Sequence, residues 1–213
     1  MKNTEILEML NNGEIERLKR LLSDEIYNES LNNGSAKQRY AAMKNFFKYI
    51  KNNRKSLSMP CENVKVNGEL YNSFVNNYCF ALTKESIGEI KPFKEDEVEK
   101  YFDVERFVNF SVVNSTEKVD LNSVIAEAKS KGYKHKKSEL SKDFNYVFKY
   151  KDAYFNVALF DKAFSVINDG EEAEVYYTNK RTILLIKTSL GIAGVLPFKP
   201  RENIEDVKTI ISR

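Results

Sequence analysis

Apolar positions recur along this chain with two different periods, and the changes of period divide it into elements. Within residues 1–31, Ile6, Leu7, Leu10, Ile15, Leu18, Leu21 and Leu22 fall at helical spacing, broken at Asn11-Asn12-Gly13, so two short helices are expected there. Beyond Asn32-Asn33-Gly34-Ser35, residues Tyr40, Met43, Phe46, Phe47 and Ile50 return at steps of three and four, which predicts an amphipathic helix over 36–54. Pro60 is read as the end of that region. Val64 and Val66 then lead into Asn67-Gly68, the dipeptide whose backbone suits the tight turn between twisted strands. With Leu70 to Val75, an Asn76-Asn77 turn and Tyr78 to Thr83, residues 62–83 read as a three-stranded meander.

The pattern weakens after Pro92 and the acidic run Glu95-Asp96-Glu97. Val98, Tyr101 and Phe102 suggest a short helix, Phe107 to Val113 a strand, and Leu121 to Lys131 a helix carrying Val124, Ile125 and Ala128. The signal returns at Asn145, where Tyr146, Phe148 and Tyr150 alternate with Val147 and Lys149 before a Lys151-Asp152 turn and a strand from Ala153 to about Val157. Leu159, Phe160, Ala163, Phe164 and Ile167 form a helical stripe ending at Asn168-Asp169-Gly170, with Gly170 able to take the positive φ that follows a helix. Three strands follow, Ala173 to Thr178, Thr182 to Lys187 and Ile192 to Leu196, and a terminal helix is expected over Glu202 to Ser212. Helix then three strands occurs twice, over 38–83 and 153–198, which reads as two related halves without a residue-level repeat.

Composition narrows the function. At 213 residues, 42% hydrophobic and 31% charged, with 14 Phe and 12 Tyr, the chain can close a core without disulfides or metal. No apolar run approaches the roughly 18 residues of a membrane span and residues 1–30 lack a signal-peptide core, so a cytoplasmic protein without a membrane partner is expected. Cys61 and Cys79 have no metal-ligand spacing and read as buried thiols. His135, the single histidine, sits among lysines and reads as a solvated loop residue, which leaves no Ser/His/Asp triad. No phosphate-cradling glycine loop is present, and Glu95-Asp96-Glu97 reads as a solvated acidic loop. A non-enzymatic protein with no cofactor and no metal is therefore expected.

The segment Phe155-Asn156-Val157-Ala158-Leu159-Phe160-Asp161-Lys162-Ala163-Phe164, with Val175 to Tyr177, Ile183 to Ile186 and Val195-Leu196-Pro197-Phe198, resembles the closing half of a bacterial DNA sliding-clamp domain, the β subunit of the replicative polymerase. Phe74-Val75-Asn76-Asn77-Tyr78-Cys79-Phe80-Ala81-Leu82 is similar to that family's strand-turn-strand signature, with Asn76-Asn77 where the family has Asp-Gly. The similar parts span about half the chain, residues 38–83 and 145–198. The resemblance implies an α+β, DNA-clamp-like fold: two βαβββ-type halves with helices on one face of antiparallel sheets, here with an N-terminal helical appendage. Residues 1–35 would be that appendage, 36–200 a clamp-like domain with an irregular acidic insertion near 84–142, and 201–213 a C-terminal helix. It implies a DNA-associated accessory protein of sliding-clamp type that engages duplex DNA without sequence preference, or a replication protein. The alternative is a protein–protein interaction module that does not encircle DNA, with the N-terminal helices docking a partner or a second copy as a homo-oligomer.

Net charge is only +3, so nucleic-acid contact must come from where the charge lies. At about 100° per residue, Lys37, Lys44, Lys48, Lys51 and Lys55 fall within a sector of about 60° on the 36–54 helix, beside the apolar stripe. These five are the candidate DNA contacts, suited to phosphates rather than bases. The competing reading is the ordinary solvated face of a lysine-rich helix. The lysines between Lys129 and Lys142, among them Lys131, Lys134, Lys136 and Lys137, read as an exposed loop that could extend the surface.

Overall fold

The structure, a computed structural model, describes residues 3–15, 18, 22, 34–53, 58–94, 103–111, 116–130, 134–136 and 144–197. The 98–102 helix, the 202–212 helix, Glu95-Asp96-Glu97, Lys55, and Lys131, Lys137 and Lys142 lie outside these residues. Five helices are described: α1 (Asn3–Asn11), α2 (Gly34–Asn52), α3 (Val104–Ser111), α4 (Leu121–Ser130) and α5 (Val157–Ile167). The strands are β1 (Met59–Val66), β2 (Glu69–Val75), β3 (Cys79–Thr83), β4 (Phe93–Lys94), β5 (Thr116–Val119), β6 (Lys134–Lys136), β7 (Phe144–Tyr150), β8 (Ala153–Asn156), β9 (Ala173–Tyr176), β10 (Leu184–Thr188) and β11 (Gly191–Val195). The protein is thus α+β, built on an eight-stranded sheet of order β4-β1-β2-β3-β11-β10-β9-β5, with β6-β7-β8 as a separate three-stranded sheet.

Local chemistry sets the hairpins. Asn67 and Gly68 both take positive φ, 51° and 85°, which gives the β1–β2 turn the hand that matches strand twist. The β2–β3 turn is closed by the Asn76 amide donating to the Cys79 carbonyl (2.8 Å), while the Asn76 side chain accepts from the Tyr78 N–H (2.9 Å). Asn156 ends β8 and caps α5, its Oδ1 accepting from the N–H groups of Ala158 (2.9 Å) and Leu159 (3.2 Å), a cap worth about 1 kcal/mol. The far end of α5 stops at Asn168, and Gly170 takes φ 93° as its position requires.

The two meanders, β1-β2-β3 and β9-β10-β11, meet where β3 pairs antiparallel with β11. Ala81 stands opposite Ala193 at the centre of that seam, both fully buried. Gly191 and Gly194 permit the close approach. A Cβ on Gly191 would lie 2.0 Å from the Leu82 carbonyl oxygen, and one on Gly194 would lie 2.3 Å from the Phe80 ring. One face of the sheet carries α2, α4 and α5, where Phe46, Phe160, Phe164 and Ile167 pack with Phe74, Ala81, Leu184 and Ala193. Phe46 stacks on Phe74 at 6.0 Å, and Phe148 meets Phe160 edge-on at 4.9 Å. The opposite face gathers Tyr71, Phe80, Leu82, Leu185 and Ile192 with Val104 and Val108 of α3.

The structure corrects several expectations. Residues 107–111 of the expected 107–113 strand belong instead to α3, because Val104 and Val108 are one helical turn apart and both buried while Phe107 is exposed, a period of four and not two. The described residues of the 84–142 segment contribute β4, α3, β5, α4 and β6, and β4 and β5 become the two edges of the large sheet. Pro60 does not end an element but sits inside β1, opposite Phe74, next to a bulge between Cys61 and Val64 where Asn63 has φ 58°. His135 lies in β6 and not in a loop, as do Lys134 and Lys136, while Lys129 is in the last turn of α4. The element order βαβββ is complete only in β8-α5-β9-β10-β11, and β8 pairs with β7 rather than joining the large sheet. Among the described residues no strand precedes α2, and the β1–β4 pairing is parallel.

Candidate nucleic-acid interface

α2 owes its position to Met43, Phe46 and Ile50, all nearly inaccessible, and its outward face to a run of lysines. The helix Gly34–Asn52 contains no acidic residue, and Asn53 closes it by donating from Nδ2 to the Tyr49 carbonyl (3.0 Å). Lys51 in the last turn complements the partial negative charge of the helix end. Lys37, Lys44, Lys48 and Lys51 are exposed, as their angular sector requires, and span about 21 Å at 1.5 Å per residue. Among the described residues, the ion pairs involve other cations: Arg39 with Glu85, Lys84 with Glu69, Lys129 with Asp161 and Lys151 with Glu117.

Arg39, on the opposite side of α2 from the row, turns inward. Its guanidinium grips Glu85 with Nη2–Oε1 at 2.6 Å and Nε–Oε2 at 2.9 Å, which fixes α2 to the loop after β3. The Lys44 ammonium lies 5.1 Å from the Tyr40 ring centroid, and the Lys162 ammonium, from α5, lies 4.5 Å from that of Tyr49. Both rings therefore have a face covered by a cation, an arrangement worth about 0.5–1 kcal/mol at exposed sites. Phe46, Phe160 and Phe164 are core residues and Phe47 is partly buried against the same core, so these aromatics pack inward.

α2 and α5 lie side by side and run in opposite directions: Tyr49 near the end of α2 meets Lys162 in mid-α5, while Ser35 and Gln38 at its start face Asn168 and Gly170. A polar groove of about 370 Å³ separates the latter ends. At its rim Asp169 accepts from the Ser189 hydroxyl (2.8 Å) and from the N–H groups of Ser189 and Glu171. Partial burial would raise its pKa, but these hydrogen bonds outweigh it and hold the carboxyl below the usual range.

The remaining candidates resolve into structural groups. Cys61 and Cys79 are both buried, and burial pushes the Cys79 thiol up to about 12, so it is protonated at neutral pH. No group of three or more His, Cys, Asp or Glu residues able to hold a metal ion occurs among the described residues. No described helix is long and apolar enough to cross a membrane. The N-terminal segment does present apolar surface, since Leu7, Leu10 and Ile15 are exposed. Sequence reasoning found the lysine row from its 100° spacing but missed the Lys162–Tyr49 contact, which only the packing of α5 against α2 creates. No family model matches this chain, and no curated protein or solved structure matches it.

Proposed function

We propose that this protein is a non-enzymatic, clamp-type accessory protein that binds duplex DNA through its phosphates, without reading sequence. The observation that carries the reading is the row Lys37, Lys44, Lys48 and Lys51, exposed on a helix without a single acidic residue. Lysines so placed are point charges on flexible stems, fit to neutralise phosphates and unfit to read base edges. The covered faces of Tyr40 and Tyr49 favour backbone contact over base stacking, and hence duplex over single strand. The clamp-like arrangement is supported by the repeated helix-and-three-strand order, the antiparallel β3–β11 seam and the antiparallel α2–α5 pair on one face.

The test is titration of the full chain against an arbitrary duplex at two salt concentrations. Four phosphate contacts predict a slope of log K against log salt of about −3.6, so affinity falls roughly a hundredfold between about 50 and 200 mM salt. The triple variant Lys44→Glu, Lys48→Glu, Lys51→Glu should abolish binding. Binding that is absent, or indifferent to both salt and charge reversal, rejects the reading.

A second reading rests on the exposed Leu7, Leu10 and Ile15: a protein–protein interaction module in which the N-terminal helix docks on a second copy. Solution mass decides it. A dimer that the pair Leu7→Glu, Leu10→Glu converts to monomer supports this reading, and a wild-type monomer at high concentration removes it.

A further inference from the structure

The outward face of α2 carries more than its lysines. Lys37, Lys44 and Lys51 are seven residues apart, and each is followed by an amide side chain: Gln38, Asn45 and Asn52. Seven residues make almost two helical turns, so the amides form a second row along the helix, about 10.5 Å from one to the next. At about 100° per residue, the direction opposite the buried Ala36, Met43, Phe46 and Ile50 falls between the two rows, about 55° from the centre of the lysines and about 35° from that of the amides. Ala41, small and exposed, marks that direction. Gln38, Asn45 and Asn52 are likewise exposed, and none of the three makes a side-chain hydrogen bond among the described residues. Gln38 and Asn45 also line the groove between α2 and α5, whose walls include none of the lysines, so these two amides have open space on the α5 side.

We infer that Gln38, Asn45 and Asn52 are neutral contacts to the sugar–phosphate backbone, set beside the lysine row on the surface that meets the duplex. This rests on the DNA-binding reading above and gives the same surface a second set of residues. Each amide offers two N–H donors to phosphate oxygens and a carbonyl acceptor to a sugar hydroxyl or water, so it holds a backbone without carrying charge. A duplex is wider than the helix, which is about 10–12 Å across with its side chains, so a duplex approaching along the outward direction covers both rows. The lysines then draw it in and release its counterions, and the amides fix its register.

The experiment is titration of the full chain against an arbitrary duplex, with each variant checked for native circular dichroism. Alanine is the strongest helix former, so alanine at these exposed positions leaves α2 intact. Asn45→Ala should weaken binding about threefold, and the triple variant Gln38→Ala, Asn45→Ala, Asn52→Ala about thirtyfold, as the loss of modest hydrogen bonds at separated sites requires. The slope of log K against log salt should keep its wild-type value, because a neutral contact releases no counterion. Asn45→Gln, which keeps the amide, should bind as the wild type does. If the triple alanine variant binds with unchanged affinity while Lys44→Glu, Lys48→Glu, Lys51→Glu abolishes binding, this inference fails and the DNA-binding reading stands. A loss accompanied by a shallower slope also overturns it, since the amides would then act through the lysines. A loss in Asn45→Gln as large as in Asn45→Ala overturns the hydrogen-bonding role. Absence of wild-type binding removes both.

Discussion

The two halves α2-β1-β2-β3 and α5-β9-β10-β11 have the same order of elements and meet at a shared seam, yet their helices differ in almost everything that faces outward. α2 is 19 residues long and presents lysines, whereas α5 is 11 residues long and buries six of them. Toward the sheet they are alike: Phe46 serves α2 as Phe160 and Phe164 serve α5, each nearly inaccessible in one common core. The inward pattern is constrained by packing and the outward pattern is free to specialise. That contrast puts the row of exposed lysines on the outer face of one half.

The comparison breaks most forcefully in the core. Phe46→Ala and Phe160→Ala should each cost about 3–5 kcal/mol in urea unfolding, with a single transition, if the halves form one cooperative unit. A biphasic transition, or a Phe46→Ala cost under about 1 kcal/mol, would show that α2 is an attachment to the second half and not its counterpart. The seam gives the next effect. Gly191→Ala forces a Cβ against the Leu82 carbonyl, where backbone must shift, and should cost about 3 kcal/mol at the upper end of overpacking. Thermal unfolding checks it, since an unchanged midpoint would mean that the halves are not locked together through β3 and β11.

Much of this contrast was legible from the sequence, for physical reasons that differ by region. Asn67-Gly68 announces its turn because few dipeptides accept two positive φ values, and both residues adopt them. Met43, Phe46 and Ile50 announce α2 because one buried face needs a 3.6-residue period. Residues 107–113 misled because short apolar runs rich in Phe and Val fit a strand as well as a helix, and α3 is settled by the sheet face it covers. The edge strands β4 and β5 were illegible, since their pairing partners Cys61 and Val175 are specified by tertiary packing and not by local pattern. The lysine row could be read because one helix holds it. The Lys162–Tyr49 contact could not, since its partners sit on two helices more than a hundred residues apart.

The β3–β11 seam also orders events in time. Thr83 pairs with Gly191, a strand roughly a hundred residues later, so the first meander is synthesised well before the partner that covers its edge. At about ten residues per second on the ribosome, β3 waits about ten seconds with an unpaired edge carrying Phe80 and Leu82. The centre of the sheet is therefore the last part of it that can close. Its closure requires the two meanders to find each other across the intervening residues 84–172.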